Sequence, residues 1–501
     1  MSSNPHKDLM LNVENFGPIA ETQNMLIKPM TVFVGPSNTG KSYLAILLYA
    51  ISRGLGYAFD RFPLERYFEH FPTLRSGLRD MPFYSPVTPP DVPYHREEDV
   101  VQYDWDQSSD EVQRIIKSIH RDWLAFASNA TSNSITGFFD VSRIDDLATQ
   151  PSRGHTQAVF NLCLHHDLFD WNIACNNGRL ETKSRILPLL LRESVGMVLA
   201  TEVDERDTEL NRFSMFQLFD AVATSFGAQF HTLDHMTYFP AARSGIIASY
   251  RTLNRNLIAN IARSGFEREI AIPYNRIVND FLENLLRIDV RDPNSEQIAE
   301  IIESSLMNGE IKAINSQYGA PEFVYARNEL SIPLSRSSSM VTDLAPIVLF
   351  LKHFIRVGHL LIIEEPEAHL HPAAQQKVAA ALALLVRSGF RVLITTHSHY
   401  MVEQISDFVA ASNLSPEKRR ELLRLGPVLE EEDIYLNEDE VGVYGFDNSS
   451  GSTIVKNIPF DESFAYVPED HNQALTEQFN RNVRIMRAQQ NGHSVNGHDA
   501  E

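Results

Sequence analysis

The order of apolar and polar positions predicts a strand, a turn and a helix close to the N-terminus. Residues 30–34 form a short apolar run, a polar stretch with two glycines follows, and residues 43–51 are apolar nearly all round. A short apolar run bounded by turn residues is typical of a buried strand, whereas the longer run suits a helix that is covered on several sides. The polar stretch is therefore expected to join the end of a strand to the start of a helix.

A second set of apolar runs lies further along the chain. Residues 359–363 predict a strand that ends at Glu364 and Glu365, Pro372 suits the first turn of a following helix, and residues 391–396 predict the next strand. Two strands joined by a helix are parallel, and their carboxyl ends meet at one edge of the sheet. The polar residues after both strands are thus expected to lie close together.

Two further strand candidates, together with the patterns above, predict the fold class. Residues 311–316 and 322–332 are strand candidates separated by a turn, which predicts an antiparallel pair. We expect an α/β protein with a mostly parallel central sheet, an antiparallel β subdomain and a large inserted α-rich subdomain. Four segments are predicted, of which the second carries no chemical motif and the last ends in a disordered tail. These segments are 1–54, 55–233, 234–410 and 411–501.

Composition and charge narrow the class of protein. The 501 residues include 44 Lys and Arg against 65 Asp and Glu, and the resulting net charge of −21 disfavours tight binding to nucleic acid phosphates. Neither a signal sequence nor a long uninterrupted apolar stretch is visible, so we expect a cytoplasmic protein without a membrane segment. The two cysteines, Cys163 and Cys175, are too few for a disulfide framework.

The polar stretch after the first strand matches the pattern G-x-x-x-x-G-K-S. Glycines at these positions let the backbone curl until successive N–H groups face one anion, and the following helix directs the positive end of its dipole to the same point. Lys41 would neutralise the β and γ phosphates of a nucleoside triphosphate, and the Ser42 hydroxyl would coordinate Mg²⁺. A turn that matches by accident is the alternative. The candidate nucleotide-binding residues are Gly35, Pro36, Ser37, Asn38, Thr39, Gly40, Lys41 and Ser42.

Two adjacent carboxylates and one histidine supply the other groups that phosphate hydrolysis needs. Glu364 is expected to bind Mg²⁺, and Glu365 to take the proton from a water molecule that attacks the γ phosphate. His397 follows the next strand and is expected to donate a hydrogen bond to the γ phosphate. A solvated strand end is the alternative for the two glutamates. The histidines that we expect to pack or to lie on the surface are His369, His371 and His399.

Three motifs together resemble those of the ABC-type ATPases. Residues 35–42 are similar to the Walker A motif, residues 360–372 (LLIIEEPEAHLHP) to the Walker B motif, and residues 393–398 (LITTHS) to the histidine switch. Within this family the chain most resembles the branch of the overcoming-lysogenization-defect nucleases, the RecF-type proteins and the ATPase subunits of bacterial anti-phage systems such as Septu and PARIS. The resemblance covers residues 9–51 and 236–405. It implies an ABC-type phosphate-loop head that uses ATP and Mg²⁺.

The resemblance also implies how the head would be assembled. Segments 1–54 and 234–410 would form it, and two heads would enclose two nucleotides in a head-to-head homodimer or higher oligomer. Each nucleotide would be contacted by signature serines of the partner head, and Ser338 and Ser339 are the matching positions here. Met340 stands where the family has glycine. A turn with a helix cap is the alternative role of these serines.

These implications favour a nucleotide-controlled switch. We expect an ATP hydrolase that controls a separate effector protein, in anti-phage defence. Relatives that are nucleases carry a TOPRIM domain after the ATPase head, whereas the residues after His397 lack its clustered acids, so no nuclease is expected in this chain. One alternative is a DNA-repair or chromosome-associated ATPase that clamps DNA. The other is the nucleotide-binding half of a transporter.

Overall fold

The chain folds into two compact units. One unit comprises residues 1–16 and 47–236, and the other comprises residues 17–46 and 237–501. All candidate site residues belong to the second unit, while the segment boundaries given above stay predictions. The structure is a computed structural model, and it describes residues 8–62, 110–148, 159–166, 169–176, 179–184, 235–250, 275–288, 297–315, 321–423, 433–448, 451–461 and 466.

Strands and helices alternate along much of the described chain. The strands are β1 Asp8–Phe16, β2 Ile19–Thr22, β3 Met25–Ile27, β4 Met30–Val34, β5 Val159–His166, β6 Phe169–Asn176, β7 Arg179–Ser184, β8 Met236–Phe239, β9 Glu310–Ile314, β10 Glu322–Arg327, β11 Leu330–Pro333, β12 Leu360–Glu364, β13 Arg391–Thr396, β14 Val441–Asp447 and β15 Thr453–Ile458. The α-helices are α1 Lys41–Arg61, α2 Asp110–Phe139, α3 Arg276–Leu286, α4 Gln297–Ile302, α5 Ser339–His353, α6 Pro372–Arg387, α7 His399–Ala410 and α8 Pro416–Leu423. Residues 243–250 are also helical.

The central sheet of the second unit is mostly parallel. Its strands follow the order β2-β15-β14-β4-β13-β12-β8. Strand β4 lies between β13 and β14 and is parallel to both, and β12 is parallel to β13. Strands β14 and β15 are antiparallel, and β15 is parallel to β2. The predicted α/β fold with a mostly parallel central sheet is thus confirmed.

The register of three strands sets the position of the candidate site. Glu364 at the end of β12 pairs with Thr395 of β13, and Thr396 at the end of β13 pairs with Val34 at the end of β4. The three carboxyl ends are therefore level. The residues that follow these strands leave the sheet at the same edge, which is where open α/β sheets bind their ligands.

An apolar core supports this edge of the sheet. It is formed by residues of β4, β12 and β13 together with α5, α6 and α7. All residues of α5 from Val341 to Lys352 are buried, which agrees with a sequence that is apolar nearly all round. The rings of Phe239 and Phe281 pack on Phe350 of α5, with centroids 5.2 and 5.5 Å away. Strand ends held by such a core have little freedom to shift.

A three-stranded antiparallel sheet accompanies the central sheet, where an antiparallel pair was predicted, because residues 322–332 turn at Asn328 and Glu329 and form the two strands β10 and β11. Its order is β11-β10-β9. A buried ion pair fastens β9 to α5: Lys352 Nζ lies 2.8 Å from Glu303 Oε1 and donates to the Ile311 carbonyl oxygen at 3.1 Å. The Ile311 N–H donates to the same carboxylate at 2.6 Å. Because both charges have several partners, their burial is compatible with a stable fold.

The first unit contains the described part of the inserted segment. Strands β7-β6-β5-β1 form an antiparallel sheet, and the Thr182 N–H of β7 donates to Ser128 Oγ of α2 at 3.0 Å. Cys163 and Cys175 are buried and free of disulfide bonds. Burial raises the pKa of Cys175 to about 12, so this thiol stays protonated. Among the described residues of the whole chain, no helix has the length and apolarity that crossing a bilayer requires.

Candidate functional site

The phosphate loop joins β4 to α1, as its sequence predicts. Gly35 and Gly40 have φ angles of +150° and +96°, which residues with a Cβ rarely adopt. A Cβ on Gly40 would lie 2.8 Å from Ile19 Cγ1, and one on Gly35 would lie 2.7 Å from the Phe446 carbonyl oxygen. Both positions therefore need glycine for conformation and for space. The loop that results can approach an anion with its main chain.

Some of the remaining loop residues are exposed to solvent, and one is buried. Pro36, Ser37 and Asn38 are exposed, whereas Thr39 is buried and donates through Oγ1 to the Pro36 carbonyl oxygen at 2.9 Å. Ser42 is exposed in the first turn of α1. The start of that helix presents partial positive charge to the loop.

Lys41 is the buried cation of the loop. Its Nζ atom donates to the carbonyl oxygens of Gly35 and Pro36 at 2.8 and 2.6 Å. The same atom lies 3.3 Å from His397 Nδ1. The structure thus brings the loop lysine to the histidine that follows β13, more than three hundred positions later in the sequence.

His397 and Glu365 form an ion pair beside the loop. His397 Nε2 lies 3.0 Å from Glu365 Oε1, and His397 Nδ1 lies 2.8 Å from the Gly35 carbonyl oxygen. Because both ring nitrogens face oxygen acceptors, this arrangement favours the doubly protonated ring. The hydrogen bond to Glu365 raises the pKa of His397, and the same bond lowers the pKa of Glu365.

The two glutamates at the end of β12 point to different partners. Glu364 Oε2 accepts from the Ala241 N–H at 3.1 Å, whereas Glu365 reaches His397. The main chain turns sharply between them, because Glu365 has a φ angle of +42°. Such a conformation costs a residue with a side chain about 1–3 kcal/mol and is found mostly at functional sites. The turn separates the proposed metal ligand from the proposed catalytic base.

The candidate signature serines lie at the start of α5. Ser338 is the N-cap residue, with Oγ accepting from the Val341 N–H at 3.5 Å, and Ser339 is the first helical residue. Both are exposed. They are therefore available to a partner molecule at a helix N-terminus, and the capping role that was the alternative is also fulfilled.

The other histidines have separate positions. His371 is the N-cap residue of α6 and accepts from the Ala373 N–H at 3.3 Å, and His369 has a φ angle of +61°. His399 begins α7. Within the described ranges, no group of three His, Cys, Asp or Glu side chains could hold a metal ion on its own.

Sequence reasoning missed three residues around the site. Glu367 Oε1 accepts from Thr396 Oγ1 at 2.6 Å and from the His397 N–H at 2.9 Å. Gln375 accepts from Ser398 Oγ at 2.5 Å. Arg243 is fully buried beneath the turn at Glu365. Glu367 and Gln375 lie inside or next to the recognised motif, whereas Arg243 is an isolated residue after a strand and carried no motif.

Charges around Arg243 balance its burial in part. Burial lowers the pKa of Arg243, while the carboxylates of Asp343, Glu367, Glu364 and Glu365 raise it. Burial likewise raises the pKa of Asp343, and the charge of Arg243 lowers it. A buried guanidinium surrounded by carboxylates and carbonyl oxygens is a fixed positive centre under the site.

The donor groups suit a magnesium-bound nucleoside triphosphate. The loop offers main-chain N–H groups and Lys41 to phosphate oxygens, and a phosphate group is the anion that such loops bind. Ser42 and Glu364 offer only oxygen ligands, which Mg²⁺ prefers, and waters and phosphate oxygens complete its coordination.

The family comparison covers the second half of the site. Residues 231–402 match the AAA ATPase domain family. The match spans less than half of the chain and includes Glu364, Glu365 and His397, but not the phosphate loop. No curated protein matches the chain.

Solved structures of SMC heads align with most of the chain at low similarity. An SMC head bound to the C-winged helix domain of ScpA has 11% identity and a TM-score of 0.41, covering 92% of this chain and 100% of that chain. An Smc head with an extended coiled coil, bound to the C-terminal domain of ScpA and derived from Pyrococcus furiosus, has 11% identity, a TM-score of 0.38 and coverages of 95% and 100%. The SMC head domain from Thermotoga maritima has 10% identity, a TM-score of 0.35 and coverages of 90% and 99%. These values are too low to support a shared function.

The α/β fold places a phosphate loop, a strand-end glutamate pair and a histidine at one edge of a mostly parallel sheet. The fold and the match over residues 231–402 together support a phosphate-loop ATPase of the AAA type.

Proposed function

We propose that this chain binds and hydrolyses ATP in a head-to-head dimer and acts as a switch for a separate effector protein. The observation that carries the proposal is the convergence of Lys41, His397 and Glu365. Lys41 Nζ lies 3.3 Å from the histidine ring, and the opposite ring nitrogen lies 3.0 Å from the glutamate carboxylate. A cation, an imidazole ring and a carboxylate therefore lie in contact one after the other beside the candidate phosphate loop.

Each of these groups has a role in hydrolysis. A water molecule attacks the γ phosphorus, a P–O bond forms, and the bond to the ADP oxygen breaks. Glu365 takes the proton of the attacking water, which its ionised carboxylate can accept. Lys41 and His397 stabilise the negative charge on the γ phosphate oxygens. Mg²⁺, held by Ser42 and Glu364, would neutralise charge on the β and γ phosphates.

A partner head would complete the site. Ser338 and Ser339 are exposed at the N-terminus of α5, a position at which hydroxyl and N–H groups bind phosphate. ATP that contacts both heads stabilises the dimer by mass action, since it binds the closed assembly better than the separate chains. Hydrolysis removes this contact and lets the heads part.

The biological role follows from the resemblance of the motifs. Residues 35–42, 360–372 and 393–398 resemble those of ATPase subunits in anti-phage systems such as Septu and PARIS. We therefore place the switch in anti-phage defence, where ATP-bound heads would hold an effector protein. The net charge of −21 favours a protein partner over nucleic acid.

Glu365→Gln tests the catalytic part of the proposal. ATP binding should persist, because the amide keeps the size of the side chain, while phosphate release should fall by roughly 100-fold or more. The ATP-bound dimer should then accumulate in sedimentation velocity experiments. Glu417→Gln, an exposed change in α8, is the matched control and should leave turnover unchanged. Unchanged phosphate release by Glu365→Gln would place the base elsewhere.

The effector part needs a separate experiment in cells. Affinity-tagged Glu365→Gln chain should retain the effector when ATP is present, and Lys41→Ala chain should not. Protection against phage should be lost with either variant, because the switch then stays in one state. Equal retention of the same protein by both variants would show that nucleotide does not control the interaction.

A further inference from the structure

Arg243 is the most deeply buried cation next to the candidate site. Its exposed fraction is 0%, and it is among the largest fully buried side chains of the described residues. It follows β8 by four positions and begins the helical stretch 243–250. A buried arginine is costly unless its donors are used, so its partners indicate its role.

The guanidinium bonds main-chain carbonyl oxygens from three parts of the chain. One Nη atom donates to Glu364 O at 2.6 Å and to Pro240 O at 3.3 Å, and the other donates to Glu365 O at 3.1 Å. Nε donates to Asp343 O at 3.0 Å. The fork of Arg243 therefore holds the strand end with the two glutamates, the loop after β8 and helix α5 at fixed distances.

Glu365 is held through its main-chain N–H, its carbonyl oxygen and one carboxylate oxygen. Its N–H donates to Thr395 O at 2.8 Å, its carbonyl oxygen accepts from Arg243, and its carboxylate pairs with His397. The φ angle of +42° is unfavourable for a glutamate, so the surroundings must impose it. Arg243 donates to the carbonyl oxygens of Glu364 and Glu365, and the latter also accepts from the Ala368 N–H at 3.0 Å.

The bond to Asp343 adds a connection to the proposed signature serines. Asp343 lies in α5, about one helical turn after Ser339, and is itself fully buried. A displacement of the start of α5 would move the Asp343 carbonyl oxygen and with it the guanidinium. Arg243 thus connects α5 to Glu365. In the proposed dimer, α5 would contact the partner's nucleotide, whereas Glu365 would act on the nucleotide of its own chain.

We propose that Arg243 is a positioning residue that fixes Glu365 for proton transfer and couples it to the signature end of α5. This inference rests on the proposed function, because it assumes that Glu365 is the catalytic base. Contact between Ser339 and the partner's γ phosphate sets the position of α5, and Arg243 transmits that position to the Glu364–Glu365 turn. Turnover at one site then depends on nucleotide contact at the other.

Arg243→Lys separates positioning from nucleotide binding. Lysine keeps the positive charge among the carboxylates, but its single ammonium cannot reproduce the fork that reaches four carbonyl oxygens. We expect kcat to fall about 100-fold, the loss that a shift of roughly 1 Å at a catalytic group causes, with KM for ATP unchanged. Arg387→Lys is the matched control, because Arg387 bonds Asp433 and Glu440 and no site residue.

A double variant tests whether Arg243 acts through Glu365. In the Glu365→Gln background, Arg243→Lys should cause no further loss in single-turnover hydrolysis, since two residues in one pathway are not additive. A second full loss would show that Arg243 acts independently and would overturn the proposal. A rise in KM at unchanged kcat would do the same, because it would assign Arg243 to nucleotide binding.

Turnover measured against protein concentration tests the coupling. Arg243→Lys should lower the plateau reached by the dimer and leave the midpoint of the rise unchanged. A shifted midpoint with a normal plateau would assign Arg243 to dimer formation and overturn the proposal. Thermal unfolding monitors the fold, and Arg243→Gln is the second variant if lysine is not tolerated. If neither variant retains nucleotide binding, Arg243 serves the fold alone and the inference fails.

The two proposals fail in different ways. Wild-type turnover that is insensitive to Glu365→Gln would contradict the proposed function. Turnover that is abolished by Glu365→Gln but fully retained in Arg243→Lys would overturn only the role of Arg243.

Discussion

Lys41 and His397 donate to the same acceptor, the carbonyl oxygen of Gly35. Lys41 Nζ reaches it at 2.8 Å and His397 Nδ1 at 2.8 Å, while the two nitrogens are 3.3 Å apart. At this distance the charge of Lys41 lowers the pKa of His397, and the carbonyl oxygen offers a lone pair to each nitrogen. The Gly35 carbonyl oxygen, just after β4, thus accepts from the loop lysine and from the histidine that follows β13.

Lys41→Ala should abolish nucleotide binding. The substitution removes the cation that is expected to face the β and γ phosphates, and hydrogen bonds between charged groups are roughly twice as strong as neutral ones. Isothermal titration with ATP and Mg²⁺ measures the loss. Lys377→Ala, an exposed lysine in α6, is the control and should bind as the wild type does. Wild-type affinity in Lys41→Ala would refute the phosphate-loop assignment.

The ion pair of His397 and Glu365 should stabilise the fold only within a window of pH. The pKa of His397 is raised above 6.5 by its bond to Glu365, so its contribution is complete below pH 6.5 and is lost as pH rises through the raised value. The pKa of Glu365 is lowered below 4.5 by the same bond, so its contribution is complete above pH 4.5 and is lost as pH falls through the lowered value. The full contribution lies between these limits.

Urea unfolding of wild type and His397→Gln across this range measures the window. The free-energy difference should peak between pH 4.5 and 6.5 and stay below about 1 kcal/mol, because both side chains are about one-third exposed. The charge of Lys41 lowers the pKa of His397, so the alkaline limit should move upward in Lys41→Ala. A difference that is independent of pH would mean that the pair is not ionised.

The sequence indicated the convergence of the site but not what holds it. Lys41, Glu365 and His397 each follow an apolar run with a recognisable motif, and parallel strands place such residues at one edge. Arg243 could not be found in this way. Three of its four acceptors are carbonyl oxygens that lie 100 to 122 positions later, and a carbonyl oxygen leaves no mark in the sequence.

The order of strands was equally hidden. Nothing in the pattern placed β14 beside β4, between this phosphate-loop strand and β15. Neighbours in a sheet are chosen by long-range packing, whereas periodicity reports only whether a segment is extended. The consequence reaches the site, since the Phe446 carbonyl oxygen lies against Gly35 and contributes to the requirement for glycine there.

Ser339→Arg should prevent dimer formation without unfolding the chain. Ser339 is exposed at the first position of α5, so the arginine side chain can extend into solvent in the single chain but would block a partner's phosphate. In the Glu365→Gln background with ATP, sedimentation velocity should show a monomer that still binds nucleotide. Ser388→Arg, an exposed change at the C-terminus of α6, is the control and should dimerise. A dimer formed by Ser339→Arg would place the interface on another surface.

Glu367 should contribute to stability through its acceptor atoms. Its side chain is nearly buried, and Oε1 receives hydrogen bonds from Thr396 Oγ1 and the His397 N–H. Glu367→Gln keeps an acceptor oxygen for the Thr396 hydroxyl and the His397 N–H. Glu367→Ala removes the acceptor of both donors. Removing one partner of a buried hydrogen bond costs roughly 1–3 kcal/mol, so Glu367→Ala should unfold at a clearly lower urea concentration than Glu367→Gln.

Measurements on the Glu367 variants distinguish the role of its negative charge from the role of its acceptor oxygen. The first measurement is the ATP turnover of Glu367→Gln, and the second is the stability of both variants. If Glu367 holds only the end of β13, Glu367→Gln should hydrolyse ATP at nearly the wild-type rate, because His397 keeps its main-chain partner. The lost charge has limited effect, since Asp343, Glu364 and Glu365 also face the guanidinium of Arg243. Equal loss of stability in both variants would show that the negative charge, rather than the acceptor oxygen, is what this strand end requires.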